Sequence, residues 1–127
     1  MSPNARIGLI DYGMGNRRSV EKALDHVGAD VVRSGDPAVL ETCDGLVLPG
    51  VGAFPKAMGN LRERGLDALV VRRAREGTPL LGVCLGMQLL FEHSEERGGA
   101  DGLGLLGGDV HYLQDAPKLP HIGWNLV

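Results

Sequence analysis

Little in this chain can stack on a base or cross a bilayer. Its 127 residues hold one Trp, two Tyr and two Phe, so nucleic-acid binding through aromatic stacking has few rings to use. No apolar run is long enough to span a membrane. The opening "MSPNARIGLID" lacks the charged start, apolar core and small-residue cleavage site of a secretory signal, so a cytoplasmic protein is expected. The two cysteines, Cys43 and Cys84, lie far apart, with no second Cys or His at metal-ligand spacing. Free thiols are expected, with no disulfide and no metal. Charge of one sign is scarce too: the net charge is −3 and the signs are mixed. The most basic stretch, "RERGLDALVVRRARE", is interrupted by Glu63, Asp67 and Glu76 and reads as a solvated helix face. Neither nucleic acid nor membrane is expected as a partner.

Glycine is what the chain has in quantity, with 20 residues, many at evident turns. The length suits one domain with a real core and is too short for two. "RIGLID" reads as a strand, followed by the glycine turn "YGMGN". Val20, Ala23, Leu24 and Val27 then recur at helical spacing, and Gly28 is a stop. "DVVRS" is a second strand, and "DPAVLET" opens a short helix with an Asp cap and a Pro. "CDGLVLPG" holds a third strand ended by Pro49-Gly50, and two glycine-closed helical stretches follow it. "TPLLGVC" is a fourth short apolar run. "LGMQLLFEHSEE" reads as helix throughout, with Met87, Leu90 and Phe91 on one face. From residue 97 the chain is glycine-rich and then strand-like. Short, unalternating apolar strands separated by helices predict an α/β fold: a mostly parallel sheet with helices on both faces.

In such sheets ligands bind beyond the C-terminal strand ends. Cys84 stands there, where a strand turns into a helix, within "GVCLG". Glycine two residues before and two after relieves crowding around a sharply bent nucleophile, as in the serine hydrolase elbow. Unpaired N–H groups and the positive dipole end of the following helix favour negative charge on sulfur and on a developing oxyanion. The alternative is a buried core cysteine, a common fate for a free thiol and the reading for Cys43. The loop "LVLPGVGAF" is an ordinary strand-to-helix turn or, with Cys84 on another strand end, a second source of N–H donors. Gly13 and Gly15 hint at a dinucleotide fingerprint, but Arg18 holds the third glycine position and the motif fails.

Together "GVCLGMQLLFE", "LPGVGAF", "DYGMGN" and "PHIGWN" resemble the class I glutamine amidotransferases. More narrowly, they are similar to the family of glutaminase subunits of imidazole glycerol phosphate synthase, over nearly the whole chain and in order. The resemblance implies a flavodoxin-like fold and hydrolysis of glutamine to glutamate and ammonia, without a cofactor. The ammonia would pass to a (β/α)₈-barrel synthase (cyclase) subunit, as a heterodimer in histidine biosynthesis. It implies Cys84 as the nucleophile that forms a glutamyl thioester. The Leu85 N–H and the loop Gly50-Val51-Gly52 would make the oxyanion hole, and Gln88 would hold the substrate. Asn16 and Trp124 would lie toward the synthase interface.

The family pattern also needs a His as base and a Glu to orient it, in a late His-Pro-Glu motif. The sequence given stops at Val127 without one. The expectation is one amidotransferase domain over 1–127, incomplete at its C-terminus and truncated before that segment. Such a chain would be a very poor glutaminase alone, with open sheet surface at its cut edge. Four histidines are present. His26 closes a helix, His93 lies about two turns along the elbow helix and points away, His111 is in a strand-like run, and His121 belongs to "PHIGWN". Two readings compete with the enzyme: a docking module that does no chemistry, and a nucleotide-binding flavodoxin-like domain.

Overall fold

A computed structural model describes residues 5–15 and 17–113; the expectations for Asn16, His121 and Trp124 lie outside the described residues. Four parallel strands form the main sheet: β1 (Arg6–Ile10), β2 (Asp30–Ser34), β3 (Gly45–Leu48) and β4 (Leu80–Gly82), in the order β2-β1-β3-β4. Five helices accompany them: α1 (Arg17–His26), α2 (Pro37–Leu40), α3 (Phe54–Glu63), α4 (Leu66–Arg75) and α5 (Leu85–Leu89). The α/β expectation, with helices on both faces, is met. Asp36 caps α2 by accepting from the Ala38 N–H at 3.0 Å, and Pro37 fills its first position, as the sequence signals.

The two faces carry separate cores. On one, Ile7, Leu9 and Val47 meet Val20 and Leu24 of α1. Ala23 and Val27 do not join this core: Ala23 is exposed within α1, and Val27 lies past the helix end, 77% exposed. On the other, Leu46 and Leu48 pack against Phe54, Met58 and Leu61 of α3 and Leu66, Leu69 and Val70 of α4. Each such side chain contributes about 1.5–3 kcal/mol of burial. Burial on both faces holds for β3 and nearly all of β1, but not for β2 and β4. Among the described residues β4 has a neighbour on one side only, and Leu81 is 55% exposed.

Two sequence expectations fail for physical reasons. The stretch after Cys84 is helical only to Leu89, and its buried face is Leu85 and Leu89, with Met87 exposed. The carbonyls of Leu89, Leu90 and Phe91 are taken by the N–H groups of Leu103, Leu105 and Gly104 at 2.8, 2.8 and 3.1 Å. That glycine-rich segment ends the helix from outside. His93 therefore lies in a strand, β5 (His93–Ser94), between β6 (Ala100–Asp101) and β7 (Asp109–Val110). The basic face of α4 is also not wholly solvated. Arg73 is 9% exposed, and its guanidinium donates to the carbonyls of Leu40, Glu41 and Cys43 and to the Thr78 hydroxyl, at 2.6 to 3.3 Å.

The strand order reverses direction between β1 and β3, since the chain runs outward to β2 and returns. A cleft opens at such a switch point, beyond the strand C-termini. Three segments meet there: the turn after β1, the loop after β3 and the bend after β4.

Candidate active site

Cys84 occupies the bend between β4 and α5 with φ 56° and ψ −122°, one of two described non-glycine residues with positive φ. Only a backbone held from all sides keeps such a residue there. The flanking glycines show what holds it. A Cβ on Gly86 would overlap the Leu48 carbonyl, and one on Gly82 would stand 2.8 Å from the Met87 Cα. The helix thus crosses β3 and β4 at backbone contact, which throws Cys84 outward. Its side chain is exposed, while Cys43 is buried, and burial raises the Cys43 thiol pKa. The core-cysteine alternative for Cys84 is excluded, and the core reading of Cys43 stands.

The loop after β3 runs beside this bend. The Leu85 N–H donates to the Gly50 carbonyl at 3.2 Å, so this N–H is occupied. Gly52 has φ 112°. Gln88, one turn along α5, and Gly52 line a cavity of about 280 Å³ with Ser94, Glu95, Glu96 and His111. Glu96 accepts from the Phe54 N–H at 3.3 Å, supplying the cap that Ala53 cannot give to α3. The Tyr112 N–H, then the His111 imidazole, hold the Glu95 carboxyl below the usual carboxylate range. Ser94, Glu95 and Glu96 were not legible as site residues, because the sequence reads there as helix. Their clustering follows from the early end of α5.

Tyr12 was also missed. It sits in a glycine turn, where exposure is expected, yet it is 1% exposed. Its hydroxyl donates to the Pro49 carbonyl at 2.6 Å, and Arg64, the residue that caps the C-terminus of α3, donates to the Tyr12 backbone carbonyl at 2.8 Å. Burial raises the phenol pKa well above its ordinary value, so it remains a donor.

No described histidine is hydrogen-bonded to Cys84. His26 ends α1, His93 pairs with Asp101 at 3.1 Å, and His111 pairs with Glu95 at 3.4 Å. Among the described residues no cluster of His, Cys, Asp and Glu could hold a metal, and no helix is long and apolar enough to cross a membrane.

The model of the family "Glutamine amidotransferase class-I" matches residues 8–127, covering all three converging segments. The chain belongs to the class I glutamine amidotransferases. Relatives of this amidotransferase include the "Imidazole glycerol phosphate synthase subunit HisH" of Bacillus cereus (strain G9842), 55% identical over 119 residues. The protein of the same name from Symbiobacterium thermophilum is 56% identical over 123 residues. These matches take in 94% and 97% of this chain but only 57% and 58% of the relatives. A solved "glutamine amidotransferase" aligns with a TM-score of 0.72 at 26% identity, over 83% of this chain and 55% of its own. A putative peptidase E from Listeria monocytogenes shares the fold alone, at 16% identity and a TM-score of 0.68 over 81% of this chain and 63% of its own.

Proposed function

We propose that this chain is the Cys-bearing part of a glutaminase subunit of imidazole glycerol phosphate synthase. The observation that carries the reading is an exposed cysteine on a strained strand-to-helix bend, one turn before Gln88, which lines a cavity together with two glutamates. Glutamine binds in that cavity, its ammonium against the carboxylates and Gln88. The Cys84 sulfur attacks the side-chain amide carbon, and the carbonyl electron pair moves to oxygen. That oxyanion is held by the Leu85 N–H and by the loop Gly50-Val51-Gly52. For Leu85 to serve, the Gly50 carbonyl must first turn away. The intermediate collapses as the proton given up by the Cys84 thiol reaches the nitrogen, ammonia leaves, and water hydrolyses the glutamyl thioester to glutamate and free thiol.

Ammonia passes to a (β/α)₈-barrel synthase subunit. Both relatives named above are, by name, subunits of imidazole glycerol phosphate synthase. The 127-residue chain alone turns over very slowly, since no described histidine stands as base to Cys84. One observation favours the docking module instead: the Leu85 N–H is already engaged. An electrophilic glutamine analogue, 6-diazo-5-oxo-L-norleucine, decides between them. One adduct per chain at Cys84, suppressed by glutamine, is expected. Alkylation of Cys84 by iodoacetamide with no capture of the analogue would leave the docking module.

A further inference from the structure

The turn after β1 lies against the loop after β3 residue by residue. A Cβ on Gly15 would meet the Val51 Cγ2 at 3.1 Å, and one on Gly52 would meet the Met14 Cε at 3.1 Å. A Cβ on Gly50 would stand 2.5 Å from the Tyr12 hydroxyl oxygen. Of these approaches, only the Tyr12 hydroxyl makes a directional bond, to the Pro49 carbonyl at 2.6 Å. That carbonyl belongs to the Pro49–Gly50 peptide. The next peptide, Gly50–Val51, carries the oxygen that accepts from the Leu85 N–H.

We propose that Tyr12 is a positioning residue, whose hydroxyl fixes the Pro49–Gly50 peptide and so sets how the Gly50–Val51 peptide faces Leu85. The inference rests on the glutaminase reading for its chemical meaning. With the Pro49–Gly50 plane pinned, a turn of the Gly50 carbonyl becomes a rotation about the bonds of a single glycine. The Tyr12 main chain is held as well, because Arg64 donates to its backbone carbonyl at 2.8 Å. Without the hydroxyl, both peptides move, and the donors that face the sulfur lose their fixed direction.

Tyr12→Phe removes one O–H and keeps the ring. Two readouts separate positioning from packing. Deuterium exchange at the Leu85 amide is expected to quicken by about tenfold, as suits the loss of one buried hydrogen bond next to it. Amides of Leu9 and Leu48 stay unchanged. The rate of Cys84 capture by 6-diazo-5-oxo-L-norleucine, divided by its rate with iodoacetamide, is expected to fall about fivefold by the same loss. Met14→Leu, which alters packing on the same loop and no hydrogen bond to Pro49, leaves that ratio alone. An unchanged Leu85 amide, or a uniform rise in exchange across the sheet, overturns the proposal. A wild-type chain that takes iodoacetamide but not the analogue sinks the glutaminase reading, and the Leu85 amide still decides what Tyr12 does.

Discussion

Replacing Cys84 by glycine should stabilise the chain, whereas replacing it by alanine should not. The residue holds φ 56° and ψ −122°, a region where a Cβ costs about 1–3 kcal/mol. Alanine keeps the Cβ and therefore the strain. Because the cysteine side chain is exposed, its loss removes little packing, and the alanine variant should lie within about 0.5 kcal/mol of the parent. Glycine relieves the strain and gives back about 0.5–1 kcal/mol through its freer unfolded chain. The net is a gain of about 0–2.5 kcal/mol over alanine, with a central value of about 1.3 kcal/mol. For a domain of this size that is about 3–8 °C in Tm. Urea unfolding followed by circular dichroism measures it, provided the two variants share one m-value. Coincident midpoints, or a glycine variant that melts first, would refute the claim that this bend is held under strain.

Gly86→Ala drives a methyl into the Leu48 carbonyl; a loss of about 3 kcal/mol is expected from urea midpoints, together with lower capture of the glutamine analogue. Arg73→Met strands the buried carbonyls of Leu40 and Cys43 and should cost about 3 kcal/mol, whereas Arg72→Met, on exposed partners Glu41 and Glu76, should lower the unfolding midpoint far less. The Arg72 guanidinium lowers the Glu41 pKa, and the Tyr112 N–H lowers that of Glu95. Since the folded values are the depressed ones, the stability these groups add is present at neutral pH and lost as pH falls through them. Carboxyl NMR titrations should place both midpoints below the ordinary Glu value of about 4.3.

The legible part of this fold is the part written locally. "IGLI" and "GLVL" have no polar alternation because helices cover both faces of β1 and β3. Asp36 caps the helix that begins one residue later. The bend at Cys84 was legible because two glycines and one nucleophile have a shared steric cause, seen in the approach of α5 to Leu48 and Gly82. What was not legible was decided at a distance. Leu103 and Leu105 end a helix that its own residues would have continued. Arg73 is drawn inward by carbonyls 30 to 33 positions away in sequence. Tyr12 is buried by a partner 37 residues further on. No window of sequence contains either half of such pairs together.

The Phe54 N–H at the head of α3 gives the Glu96 bond a meaning beyond capping. One rod carries the Gly50–Gly52 segment as its lead-in and grips the acidic wall by its first amide, while Arg62, two turns on, fastens the strand behind that wall through the Asp101 carbonyl. Any drift of α3 along its axis would move floor and wall of the cavity as one piece, so the gap between them is gauged by a helix and is insulated from the wandering of the loops it joins.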